Sequence, residues 1–84
     1  MKKSLLELTQ DIVVGNTVYN DDLDNVLIVM NDEKNEGVLF ERPAEDSEYP
    51  DEPWENWFTI VDGDVVPQFD MVSEEKQKIL DYIK

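Results

Sequence analysis

Val26-Leu27-Ile28-Val29-Met30 is the longest apolar run of the sequence, and it predicts the central strand of a sheet. The run contains no polar residue, which is typical of a strand buried on both faces. A polar segment, residues 31–37, follows and ends in glycine. Residues 38–41 (Val-Leu-Phe-Glu) then predict the partner strand. We expect the remaining strands to be arranged around this pair.

Downstream of this pair, residues 57–61 (Trp-Phe-Thr-Ile-Val) predict a further strand. Asp62-Gly63 is a favourable tight hairpin turn, and residues 64–66 continue from it. Pro67 confines that last strand to an edge of the sheet, because proline donates no backbone hydrogen bond.

Upstream of the pair, Gly15-Asn16 separates the apolar residues 12–14 from residues 17–19 and predicts a second hairpin. Residues 20–25 (Asn-Asp-Asp-Leu-Asp-Asn) predict a solvated turn. They lack the ligand pattern, central glycine and closing glutamate of an EF-hand loop, so no calcium site is expected.

Two helices are predicted, one at each end of the chain. Ser4 and Glu7 fit a capping box, and the apolar spacing that follows predicts a helix over about residues 4–11. Ser73 is a candidate N-cap for the second helix, whose apolar stripe consists of Ile79, Leu80 and Ile83. The expected fold is therefore a single α+β domain over residues 1–84. It has a small antiparallel sheet of four to six strands, with an N-terminal and a C-terminal helix packed on it.

The composition lacks the residues on which most catalytic and metal-binding sites depend. The sequence has no cysteine and no histidine, so thiolate nucleophiles, histidine bases and the commonest transition-metal ligands are missing. No nucleophile elbow or phosphate-binding glycine loop is present. We therefore expect no enzyme, no cofactor and no metal. No apolar run approaches the length of a membrane span, which predicts a soluble, cytoplasmic protein.

Charge is the most unusual property of the chain. Twenty-one acidic residues against seven basic ones give a net charge of −14. Residues 11–70 hold seventeen acidic residues and two basic ones, which is a net charge of −15 for this part alone. Such a field repels nucleic acids and anionic membranes and attracts a basic partner. We therefore expect no direct binding of nucleic acid and no membrane contact.

The acidic stretch, residues 41–57, concentrates this charge in the sequence ERPAEDSEYPDEPWENW. Three prolines make a helix there unfavourable, so a long connection is predicted. Carboxylates along an extended chain lie about 6.6 Å apart on one face, a spacing that can imitate a phosphate backbone. Interspersed aromatic side chains could then supply the remaining affinity. Trp57 lies beside Phe58 and Ile60, which predicts that Trp57 belongs to the core.

The candidate partner-binding residues are these acidic side chains with two of the aromatic ones, together with two aspartates of the predicted hairpin. They are Glu41, Glu45, Asp46, Glu48, Tyr49, Asp51, Glu52, Trp54, Glu55, Asp62 and Asp64.

Part of this pattern resembles a known family. An apolar strand, an acidic loop and a second strand are followed by Glu48-Tyr49 and Pro53-Trp54, which lead into a strand ending in aspartate. In this order, residues 24–69 resemble the C-terminal half of the phage uracil-DNA glycosylase inhibitors, which are small acidic DNA mimics. The resemblance implies a comparable sheet and a phage-encoded inhibitor that blocks the nucleic-acid site of a bacterial DNA-binding, DNA-repair or defence protein.

Two alternatives remain open at the level of sequence. Residues 37–43, the acidic loop and a Trp-containing strand are also similar to a group of small bacterial immunity proteins, which implies neutralisation of a basic toxin nuclease. An accessory protein whose charge serves only solubility is the other alternative. In each case we expect a monomer or a small homo-oligomer.

Overall fold

The computed structural model describes residues 3–20 and 25–84. Within these ranges the chain forms one antiparallel sheet of five strands in the order β1-β2-β3-β4-β5, preceded by two short helices and followed by a longer one. The elements are α1 (Leu5–Leu8), α2 (Gln10–Val13), β1 (Thr17–Asn20), β2 (Val26–Met30), β3 (Glu36–Glu41), β4 (Trp54–Val61), β5 (Asp64–Pro67) and α3 (Ser73–Ile83). The predicted α+β class, strand number and terminal helices are confirmed.

Strand β2 is buried along its whole length, as its uninterrupted apolar run predicts. Ile28 packs with Ile79 of α3 on one face of the sheet, and Leu27 packs with Leu5 of α1 on the other. We refer to these as the α3 face and the α1 face. Because side chains alternate along a strand, the pairing register assigns every strand residue to one of the two faces.

The hairpin between β4 and β5 is also confirmed. Asp62 and Gly63 both have positive φ angles, 53° and 81°. This is the backbone that a two-residue turn between twisted strands requires. Strand β5 pairs only with β4 and ends at Pro67, which therefore lies at an edge of the sheet as expected.

The N-terminal helix is shorter than predicted, because it is interrupted at Thr9. The Ser4 side chain accepts a hydrogen bond from the Glu7 N–H at 3.1 Å, which confirms the predicted cap. Thr9 leaves helical geometry, and its hydroxyl donates to the Leu5 carbonyl oxygen at 3.0 Å. A side chain that competes for backbone partners in this way favours a helix end. The chain therefore continues as a second short helix, α2.

The predicted hairpin around Gly15-Asn16 is wrong. Ile12 and Val13 belong to α2 and pack on the α1 face of the sheet, and the strand begins only at Thr17. The apolar residues 12–14 fit a covering helix as well as a strand, and burial under the sheet decides between them. Of the turn predicted at residues 20–25, positions 21–24 lie outside the described residues.

Helix α3 begins at Ser73, one residue earlier than a Ser73 cap would require. Val72 occupies the N-cap position without a side-chain hydrogen bond, so the prediction of Ser73 as the cap is wrong. The predicted apolar stripe is confirmed, because Ile79, Leu80 and Ile83 pack on the α3 face. Among the described residues, no helix is long and apolar enough to cross a membrane.

Candidate protein-binding surface

The acidic stretch is partly strand. Strand β4 begins at Trp54, which pairs with Glu41, so the predicted start at Trp57 is wrong by three residues. The polar residues Glu55 and Asn56 hide this part of the strand in the sequence. The true connection between β3 and β4 is therefore residues 42–53, and we refer to it as the β3–β4 connection.

The β3–β4 connection is folded into turns. The Ser47 N–H donates to the Ala44 carbonyl oxygen at 3.0 Å, and the Glu52 N–H donates to the Tyr49 carbonyl oxygen at 3.2 Å. The chain therefore does not form the extended row of carboxylates that the sequence predicts for this stretch. The three prolines have no N–H with which to continue a ladder, which favours these local turns.

Most of the predicted acidic residues are brought together on the outside of these turns and at the start of β4. All of them are exposed: Glu45, Asp46, Glu48, Asp51, Glu52 and Glu55. The structure thus concentrates six carboxylates in one continuous segment of surface.

Three predicted residues are not part of this exposed group. Glu41 lies on the α3 face, directly cross-strand from Trp54, where its half-buried carboxyl group is hydrogen bonded to that of Glu75. Burial, followed by this hydrogen bond and by repulsion from Glu75, raises the pKa of Glu41 to about 7, although Lys78 acts in the opposite direction. Asp62 and Asp64 lie at the far end of β4, about 24 Å from Trp54 at the usual rise per strand residue. They are therefore separate from the acidic connection.

The aromatic side chains of the acidic stretch are exposed. Tyr49 is 61% exposed, Trp54 59% and Trp57 48%. The prediction that Trp57 belongs to the core is wrong. Phe58 points to the α3 face and is buried, whereas Trp57 points to the α1 face, beyond the cluster of β2 and β3 residues that α1 and α2 cover.

A second aromatic residue accompanies Trp54. The ring of Phe69, 53% exposed, lies with its centroid 6.2 Å from that of Trp54. Phe69 is held there by Asn56, a buried polar residue of β4 whose side chain bonds to the Phe69 backbone. Neither Phe69 nor Asn56 is among the residues predicted from the sequence. The only signal is strand alternation, which places Asn56 on the buried face with Phe58.

A further apolar surface, also missed, lies on the α1 face of β4 and β5. Trp57, Val61 and Val66 are each about half exposed there, and we refer to these three residues as the β4–β5 patch. Each of them alternates with a residue of the opposite face, so a hydropathy pattern cannot show whether a helix covers it.

The described residues contain no group of three or more acidic side chains arranged to hold a metal ion.

Comparison of the chain with models of protein families, with curated proteins and with solved structures gives no match. The resemblances to glycosylase inhibitors and to immunity proteins therefore stay predictions, based on the residues quoted above.

Proposed function

We propose that this protein is an acidic inhibitor that occupies the nucleic-acid-binding site of a bacterial DNA-binding, DNA-repair or defence protein. The setting that its resemblance to phage glycosylase inhibitors implies is a phage-encoded protein acting against its host. The proposal needs a surface that attracts the Lys and Arg side chains of a DNA-binding site, together with apolar groups that hold the partner after encounter.

The observation that carries the proposal is the exposure of Tyr49 and Trp54 among the carboxylates of the acidic stretch. A surface built only for solubility has no need of large exposed aromatic side chains beside prolines. Tyr and Trp are enriched among the residues that dominate binding energy at protein interfaces. Because they lie inside the acidic segment, a basic partner attracted by the carboxylates would meet these two aromatic side chains.

The electrostatic part of the argument follows from what DNA-binding proteins do. They neutralise phosphates with Lys and Arg, and much of their affinity comes from the release of counterions condensed on DNA. A short protein surface condenses fewer counterions than a duplex, so apolar contact has to supply the difference. Trp54 and Phe69, whose rings lie side by side next to the acidic connection, are the apolar side chains that we expect to supply it.

The test is capture followed by competition. The tagged protein is used to recover partners from a bacterial lysate at low and at moderate salt, and each partner is then purified and mixed with a labelled DNA duplex. The proposal requires that the protein displaces the duplex from its partner. Recovery of no nucleic-acid-binding protein, or formation of a ternary complex in which DNA stays bound, would contradict it.

A pair of matched variants sharpens the competition. Asp51→Asn with Glu52→Gln neutralises two exposed carboxylates of the β3–β4 connection, and we expect displacement of DNA to weaken. Asp32→Asn with Glu33→Gln makes the same chemical change in the exposed loop between β2 and β3, at the opposite end of the sheet. The second pair should leave displacement nearly unchanged. A partner that proves to be a toxin nuclease would identify the immunity alternative.

A further inference from the structure

Among the described residues, no helix covers the β4–β5 patch. On the α1 face, Ile12 and Val13 of α2 pack against a cluster formed by β2 and β3 residues. The next two strands, β4 and β5, carry Trp57, Val61 and Val66 on the same face at 48%, 51% and 49% exposure. On the α3 face, by contrast, Phe58 and Val65 of these strands are buried.

The dimensions of this uncovered area fit one helix. Two neighbouring strands span about 10 Å, since strands lie about 4.8 Å apart and each extends half a spacing further. An α-helix with its side chains is about 10 Å across. Trp57 stands between two shallow grooves, of about 300 Å³ on the β5 side and about 210 Å³ on the α2 side. Trp57 lines both grooves. The other residues that line the first groove include Thr59, Val66, Pro67 and Gln68. Those that line the second include Ile12, Asn16, Val29 and Val38.

The charged residues that β3, β4 and β5 present on the α1 face are all acidic. Glu36 pairs with Thr59, Asp64 pairs with Val61, and Glu55 precedes Trp57 by two residues, so all three carboxylates lie on the α1 face and all are exposed. The residues of β3, β4 and β5 on this face include no Lys or Arg. The result is a strip of three half-exposed apolar side chains, with Thr59 between Trp57 and Val61, and a carboxylate rim.

This rim decides what the patch can bind. A second copy of the chain packed patch to patch would bring two carboxylate rims together without a base, and like charges at an interface are unfavourable. An apolar segment without charge would leave the carboxylates unpaired. A segment with an apolar stripe between basic residues satisfies both parts of the surface.

We infer that the β4–β5 patch binds a basic amphipathic helix of the partner protein. The apolar stripe of the helix lies over Trp57, Val61 and Val66, and its flanking Lys and Arg side chains pair with Glu36, Glu55 and Asp64. The inference rests on the proposed function in one respect: the helix belongs to the nucleic-acid-binding protein that the acidic surface attracts. Helices with one apolar face are a common peptide ligand of apolar grooves.

The test uses a synthetic peptide of roughly 18 residues, about five helical turns, with Leu at positions i, i+3, i+4 and i+7 and Lys elsewhere. The control peptide has the same composition in an order that forms no stripe. Affinities are measured by calorimetry, and the binding site is mapped by amide chemical shifts. We expect the striped peptide to bind at least tenfold more tightly, with the largest shifts in β4 and β5. Equal binding of the two peptides, or shifts centred on residues 42–53, would overturn the inference.

Matched variants test the site itself. Val66→Lys places a positive charge in the patch, and Val72→Lys makes the same change at an exposed valine outside it, next to α3. We expect Val66→Lys to weaken binding of the striped peptide at least tenfold and Val72→Lys to change it little. Val61→Lys is the second patch variant, used if Val66→Lys disturbs the amide spectrum. Equal effects of the patch and control variants would contradict the assignment, as would a dimer that dissociates in the patch variants.

The two proposals fail in different ways. The peptide assay contains no DNA-binding protein, so its failure concerns the β4–β5 patch alone. Failure of the proposed function would instead show as a captured partner that keeps its DNA, whatever the peptide does.

Discussion

The side chain of Asn56 forms two hydrogen bonds with the backbone of Phe69. Its Nδ2 donates to the Phe69 carbonyl oxygen at 3.2 Å, and its Oδ1 accepts from the Phe69 N–H at 3.1 Å. Asn56 is 2% exposed and Phe69 is 53% exposed, so both bonds are partly buried. They attach the segment between β5 and α3 to the middle of β4, and they fix the exposed Phe69 ring beside Trp54.

Asn56→Ala is expected to lower the free energy of unfolding by about 2 kcal/mol, because it leaves two backbone groups of Phe69 without partners. Urea denaturation measures the change. Asn16→Ala, which removes an exposed amide with local hydrogen bonds, is the comparison and should have a smaller effect. If Asn56→Ala lowers the free energy of unfolding no more than Asn16→Ala does, water replaces the hydrogen bonds to Phe69 and the prediction is wrong.

The Glu41–Glu75 contact predicts a pH dependence of stability. The pKa of Glu41 is about 7 in the folded protein against an ordinary value of 4.5. The fold therefore binds this proton more tightly than the unfolded chain does. The corresponding stabilisation is complete below pH 4.5 and is lost as the pH rises through about 7.

Glu41→Gln keeps a neutral side chain at every pH, so the variant should become more stable than the parent protein above pH 7. The expected gain at pH 8 is on the order of 1 kcal/mol, since water screens a partly exposed pair. Denaturation between pH 4 and pH 8 measures it. Glu74→Gln, the same change at a neighbouring exposed residue of α3, is the control; it keeps the Glu41–Glu75 contact, so its stability should follow the pH dependence of the parent protein. Parallel stability curves for Glu41→Gln and the parent protein would contradict the prediction.

Trp54→Ala should act on a complex more than on the fold. Trp54 is the first residue of β4 and 59% exposed, so truncation should change stability by less than about 1 kcal/mol. If Trp54 anchors the partner, dissociation should accelerate about 30-fold, which corresponds to roughly 2 kcal/mol. Surface plasmon resonance measures the off-rate. Leu6→Ala, an exposed apolar truncation on α1, should leave it unchanged. Unfolding of Trp54→Ala would instead make Trp54 a structural residue.

Asp51→Asn with Glu52→Gln should mainly slow association with the partner. Charges at the rim of an interface steer encounter, and this steering is screened beyond about 8 Å at physiological salt. The on-rate of the parent protein should therefore fall steeply with salt, and the difference between parent and variant should shrink at the same time. Stopped-flow mixing at several salt concentrations measures both. An on-rate independent of salt would exclude steering by the acidic stretch.

The central strand of the fold could be predicted because both of its faces are buried. A run such as Val26–Met30 has one stable position in a small sheet, because both of its faces have to be covered. Residues 12–14 were misassigned because three apolar residues suit a covering helix equally well. The beginning of β4 was missed because Asn56 is polar, and its burial depends on a partner thirteen positions away.

The sequence predicts the negative charge of the candidate site, but it does not predict which side chains the fold brings together there. The exposure of the carboxylates follows from their number, since a small core cannot contain them. The exposure of Trp57 depends on how far α1 and α2 extend across the sheet, and this is decided by the helix break at Thr9 and the turn at Gly15. Glu41 is separated from the exposed carboxylates because strand alternation directs its side chain to the α3 face, where it contacts Glu75.

The strand order has a consequence for how the chain reaches its fold. Every strand pairs with its neighbour in sequence, so most of the sheet can assemble from local hairpins, a topology that favours fast folding. The longest link between consecutive strands is the β3–β4 connection, and it carries five carboxylates and one arginine. Closing this loop brings like charges together, so refolding is expected to accelerate with added salt. The segment that we propose attracts a partner is thus also the one that we expect to slow the folding of the chain.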